Sequence, residues 1–229
     1  MDKLKPLRTV SEFVEIYPQK QTDDFLTKPV WRAERNVFKA LAYQLEGLWT
    51  IYHQAGVHQE SKDGTLFRTE IDFICSHLID GLMVVEVKGG QLCIDNGRWK
   101  VRSLKGDGEF KVMKESPTQQ AQRGLRCLVE RLSEEAEIQE ALKVDNVQEC
   151  RSLLKRHVCF AVCFPDLTVK GDLTADLPRK LIIDKEDLAK IEDRLSEILA
   201  IQCKPIKGCE LPFAIMHVLR RLFAPTITI

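Results

Sequence analysis

The stretch from Arg68 to Gly90, RTEIDFICSHLIDGLMVVEVKGG, decides how the rest of the chain is read. Residues 70–76 and 82–88 are rich in β-branched and apolar side chains, and Asp80-Gly81 punctuates them as a turn. The pattern predicts a two-stranded hairpin. Strict alternation puts Glu70, Asp72 and Ile74 on one face of the first strand, and Val84, Glu86 and Lys88 on one face of the second. Folding about Ile79 sets position 74 opposite 84 and 72 opposite 86, with opposed side chains about 5 Å apart. Two acids and a lysine then converge at the end of an otherwise apolar pair.

Two carboxylates that close repel, and one of them would normally keep its proton. A divalent cation between them removes the repulsion, and hard oxygen donors suit Mg²⁺. Lys88 points the same way as Glu86 and could offset charge on a phosphoryl group or a nucleophilic water. For the triplet taken alone, a strand end with a surface ion pair of little energetic weight is the competing reading.

Working outward, 229 residues are enough for one large domain, or a domain with an appendage. Thirty-four basic residues balance 34 acidic ones, so net charge gives no nucleic-acid signal. The distribution is uneven: residues 96–123 hold seven Lys/Arg against three acids, and residues 129–150 hold seven acids against two bases. A basic lobe before an acidic helix is compatible with a directed polyanion site. The eight cysteines include no C-x-x-C pair and no zinc-type histidine spacing. Several sit in apolar runs as small hydrophobes, which fits a reducing cytosol. MDKLKPLRTVSEF lacks a signal-peptide core and no apolar run reaches membrane-spanning length, so the expectation is a cytoplasmic protein with no membrane partner.

Before the hairpin, residues 1–30 read as an irregular arm with a short helix at 10–16. Trp31 to Gly47 reads as a helix with Val37, Phe38, Leu41 and Leu45 as its buried stripe. Glu34 falls inside that stripe. It either needs a partner there or only complements the helix dipole. Residues 48–57 predict a strand and 60–64 a polar turn; Tyr52, His53 and His58 read as ordinary strand or loop residues. After the hairpin come a second one (91–94 and 98–101 about Asp95-Asn96-Gly97), a loop at 105–108 and a short strand at 109–113. Ser116-Pro117-Thr118-Gln119 is a capping-box start for a helix running to about Ala141. Gln120 lies in its first turn, and Arg123 and Arg126 nearby read by default as solvated charges. HVCFAVCF (157–164) predicts a buried strand. A loop follows to Lys180, then a short strand at 181–183, a helix at 185–200 capped by Asp184, and a last helix at 211–223.

These elements, in this order, resemble the PD-(D/E)XK nuclease superfamily, and within it the nuclease-related domain, or NERD. The resemblance rests on AERNVFKAL (33–41), TEIDFI (69–74), DGLMVVEVKGG (80–90), DNGRW (95–99) and SPTQQA (116–121). It implies an α/β fold with a restriction-endonuclease-like core, a mixed β-sheet flanked by helices. The implied divisions are an N-terminal arm at 1–30, the nuclease core at 31–165 and a C-terminal helical extension at 166–229. By resemblance, Asp72 and Glu86 would ligate Mg²⁺ or Mn²⁺ with the Val87 carbonyl as a third ligand, and Glu34 would support the metal directly or through water. Lys88 would activate the attacking water, Gln120 would position the site or touch the DNA backbone, and Arg123 would lie along the nucleic acid. Superfamily relatives place a tyrosine four residues after the glutamine; here that residue is Gly124.

The implied function is metal-dependent hydrolysis of DNA phosphodiester bonds, with RNA left open as substrate. The alternative is a non-catalytic nucleic-acid-binding or subunit-docking module on the same scaffold, docking through the acidic 129–150 stretch and the C-terminal helices. CFPDLTV (163–169), LPRKLIIDKEDLAKIEDRL (177–195) and RRLFAP (220–225) resemble the segment joining such domains to superfamily 1 helicases. No Walker A motif occurs in these residues. The chain is therefore expected to be the nuclease module of a nuclease-helicase, or a standalone nuclease working with a helicase or defence subunit.

Overall fold

A computed structural model describes residues 14–18, 22–60, 64–102, 108–204 and 210–224. Most of the loop expected at 105–108 and all of residues 10–13 lie outside them.

The hairpin is present: β3 (Leu66–His77) pairs antiparallel with β4 (Gly81–Val87), with Ile74 opposite Val84. Two further strands, β1 (Glu15–Tyr17) and β2 (Trp49–Glu60), precede it in the chain. Two more follow it, β8 (Val158–Phe164) and β9 (Ile182–Asp184). Together they form one mixed sheet in the order β1-β2-β3-β4-β8-β9. The outer pairs β1/β2, β4/β8 and β8/β9 are parallel and the inner ones antiparallel. The central pair is buried along its length because a parallel neighbour requires helices over both faces. Where a helix was expected over 10–16, residues 15–17 are strand. Both flanking segments, 1–30 and 166–229, thus supply a strand to the same sheet.

One face carries α3 (Pro117–Ser133), α4 (Ala136–Leu142), α5 (Val147–Leu154) and α7 (Leu211–Phe223). The other carries α2 (Arg32–Gln44) and α6 (Ile191–Gln202). A short helix, α1 (Asp23–Thr27), buries Phe25 beside α2. The predicted capping box of α3 is complete: Gln119 N donates to Ser116 Oγ at 3.1 Å and Ser116 N to Gln119 Oε1 at 2.9 Å. Such a cap stabilises by about 1 kcal/mol. The helix stops earlier than its apolar stripe suggests. Ser133 Oγ bonds back to the Glu130 carbonyl at 2.7 Å, an alternative to continuing the ladder, and α4 turns away to bury Ile138. The helix expected from residue 185 begins only at Ile191; Asp184 Oδ1 accepts from Glu186 N and Asp187 N in the turns that lead to it.

The second hairpin, β5 (Gln91–Asp95) and β6 (Arg98–Arg102), joins β7 (Lys111–Val112) in a separate three-stranded sheet. Asn96 and Gly97, at φ +49° and +72°, make the tight turn that right-twisted strands favour. All described cysteines are free. No helix among the described residues is long and apolar enough to cross a membrane.

Candidate active site

The alternation expected of β3 breaks at the residue that matters. Tyr52 and Ile74 lie in the core beneath α3, and Ile51 and Phe73 in the core beneath α2. One step further, Ala55 and Ile71 are again under α3, where alternation from Phe73 would put them on the opposite side. The pairing does not slip: His53 faces Phe73 and Ala55 faces Ile71. Both strands therefore rotate between those pairs, at Gln54 and Asp72. Gln54 takes a left-handed φ of +53°, which costs a side-chain-bearing residue on the order of 1–2 kcal/mol. Glu70, Asp72 and Ile74 do not share a face as strict alternation required.

Asp72 meets the end of β4. Its Oδ2 accepts a hydrogen bond from Val87 N at 2.7 Å. Glu86 is buried, 7% exposed, and pairs with the Lys88 ammonium. Burial, and then the neighbouring Glu86 carboxylate, push the Asp72 carboxyl up to about 8, against the pull of Lys88 and the Val87 amide. This is the repulsion that the spacing of the hairpin implied.

Glu34, in the first turn of α2, also raises Asp72 electrostatically, but its direct partner is elsewhere. Its Oε2 lies 3.4 Å from Nε2 of His53, a buried ring packed against Phe25, Phe38 and Phe73. Sequence reading passed over His53. No sequence signal marked it, because its place opposite Phe73, one residue from the strand irregularity, depends on the pairing of β2 with β3. Asp166 was also missed. Its buried carboxylate accepts from Gly90 N at 2.9 Å and pairs with Arg32 at 2.6 Å, tying the first turn of α2 to the loop after β4. Gly89 sits in the same contact: a Cβ there would come within 2.4 Å of the Ala33 Cβ.

Gln120 and Arg123 are not bonded to this group. Gln120 Nε2 donates to the Glu115 carbonyl at 3.0 Å, and Arg123 pairs with the Glu115 carboxylate at 2.8 Å, largely exposed. Gly124 faces inward, where an added Cβ would stand 3.1 Å from Ile71 Cγ1, so no aromatic ring fits at that position.

A cleft of about 710 Å³ opens at Glu34 and Val87, lined by Pro29, Val30, Arg32 and Ala33 on one side and by Arg102 and Lys111 of the small sheet on the other; Asp72, Glu86 and Lys88 do not line it. Among the described residues no three His, Cys, Asp or Glu side chains lie together at metal-ligand spacing. The donors that do converge are two carboxylates, with one of them deprived of solvent and held next to the other. That chemistry fits a hard divalent ion, which would relieve the pair.

A six-stranded mixed sheet flanked by helices is consistent with a nuclease-like fold. A family model described as Nuclease-related domain matches residues 29–165. That is more than half of the chain, and the chain belongs to this family, which gives it a nuclease-related function. Neither the curated proteins nor the solved structures compared with it yield a match.

Proposed function

We propose that the chain is a Mg²⁺- or Mn²⁺-dependent deoxyribonuclease of the PD-(D/E)XK type. The observation that carries the reading is the approach of Asp72 and Glu86, an unfavourable carboxylate pair with Lys88 beside it. Asp72, Glu86 and the Val87 carbonyl would hold the ion. When bound, such an ion polarises a phosphoryl oxygen and makes water a better nucleophile at neutral pH. Lys88 orients the attacking water and offsets the charge that gathers on phosphorus, trading part of its pairing with Glu86 for the substrate. Glu34, steadied by His53, supports the site from α2. Gln120 keeps the first turn of α3 in place through Glu115. Arg123, whose exposed pair is worth little, can exchange Glu115 for a phosphate.

The resemblance of the 163–225 segment to helicase-joining sequences supports a helicase or defence subunit as partner. The test of the catalytic reading is cleavage of plasmid and linear DNA with Mg²⁺, Mn²⁺ or EDTA. Lys88→Ala should lower the metal-dependent rate by about 10²–10³-fold, the cost of removing one preorganised charge. Full activity in Asp72→Ala and Glu86→Ala would exclude this site. Nucleic-acid binding without turnover in any metal would favour the non-catalytic module.

A further inference from the structure

Apart from Arg123, the basic lobe seen in the sequence takes no part in the chemistry above. Its described strands belong to the small sheet, and that sheet is one wall of the cleft at Glu34 and Val87. Two of its cations line the cleft. Arg102 lies over the Phe110 ring, 4.8 Å from its centroid, and its Nε donates to Gln91 Oε1 at 2.9 Å, so its guanidinium is already oriented. Lys111 is exposed, and no ion pair or hydrogen bond of its side chain is found among the described residues. Arg32, the third cation of the lining, is committed to the buried Asp166. The rest of the lining is mixed: Pro29, Val30, Ala33, Val87 and Val101 are apolar, and Glu34, Glu109 and Asp166, the last paired with Arg32, are acidic. Val30 is 75% exposed.

We infer that this cleft seats a single-stranded nucleic acid, with Arg102 and Lys111 on its phosphates and the Pro29-Val30 turn against its unpaired bases. The inference rests on the nuclease reading for the ligand class and adds the strand state. A duplex presents a charged backbone and hides its base faces, so an apolar wall gains nothing from it. A single strand exposes base faces that need an apolar surface and phosphates that need cations, one on each side. The size agrees. A volume of about 710 Å³ is that of a pocket for one drug-sized molecule, roughly 300–1,000 Å³, which accommodates a nucleotide or two rather than a double helix.

The experiment is fluorescence anisotropy of a labelled single-stranded DNA and of its duplex, in EDTA, over a series of salt concentrations. The single strand should bind at least tenfold tighter. The Arg102→Gln/Lys111→Gln double variant should lower the slope of log K against log salt by about 1.4, since each phosphate contact on a single strand contributes about 0.7. Val30→Asp should weaken single-strand binding several-fold, with an unchanged melting temperature to exclude a folding defect. Arg98→Gln/Lys114→Gln, in a separate hollow beside α3, should change neither slope nor strand preference. Equal or tighter duplex binding, an unchanged slope, or the same loss in the control pair would overturn the inference. Cleavage is measured separately with metal: lost catalysis with the binding pattern intact refutes the nuclease reading alone, and cleavage without the pattern refutes this inference alone.

Discussion

Replacing Asp72 by Asn should stabilise the metal-free protein. The folded chain holds the Asp72 proton up to about pH 8, whereas the unfolded chain releases it near its ordinary value of 3.8. A carboxyl raised in this way contributes stability that is fully present below about pH 4 and is lost as the pH climbs toward 8. At 1.36 kcal/mol per pH unit, the loss by pH 7 is about 4 kcal/mol, an upper bound because the surroundings of the carboxylate relax as it ionises. Asparagine keeps the shape, and its carbonyl oxygen still accepts the Val87 N–H, but it carries no charge to desolvate. Urea denaturation in EDTA should therefore show wild type and Asp72→Asn within about 1 kcal/mol of each other at pH 4. By pH 7.5 the variant should lead by about 2–4 kcal/mol. Excess Mn²⁺ should then raise the wild type, by about 2.7 kcal/mol at a hundred times its dissociation constant, and leave the variant nearly unmoved. A variant less stable than wild type at pH 7.5 in EDTA, or a difference that does not change with pH, would refute the reasoning.

Three other perturbations separate the supports of the site. His53→Phe should keep the packing against Phe25, Phe38 and Phe73 while removing the Glu34 partner, so cleavage should fall tenfold or more with the melting temperature held within a few degrees; His53→Ala should also destabilise by about 2–4 kcal/mol through the cavity it leaves. Asp166→Ala should cost about 1–3 kcal/mol in denaturant melts, chiefly by leaving the Gly90 amide without its acceptor, while Arg32, 40% exposed, can turn to water. Gly89→Ala should push the start of α2 away from the end of β4, at about 1–3 kcal/mol, with nuclease activity falling more steeply than stability because Glu34 moves with Ala33.

Much of this arrangement was legible because it depends on local chemistry. The hairpin register followed from Asp80-Gly81 and the two apolar runs, and the start of α3 from Ser116 and Gln119. The continuous apolar run at 157–164 marked a strand buried on both faces, which a parallel neighbour explains. What could not be read depends on contacts distant in sequence. Glu15 to Tyr17 becomes strand only because β2 offers an edge; the short strand at 181–183 was expected, but not its place at the edge of the sheet beside β8. The rotation at Asp72 is invisible to periodicity, since it needs the matching left-handed turn at Gln54 on the neighbouring strand. The acid on α2 was visible, but its buried histidine was not, because a histidine in an apolar strand is usually only packing. Gly124 carried a signal that sequence left ambiguous: it allows α3 to lie close on Ile71 and Val84, which is a packing role.

The central claim is that Asp72 and Glu86 form one site for a divalent ion. Anomalous diffraction from a crystal soaked in Mn²⁺ tests it most directly. A single strong peak is expected within ligand distance of both carboxylates and the Val87 carbonyl, absent from Glu86→Gln crystals. A soaked crystal with no peak there, or with manganese bound only elsewhere, would contradict it.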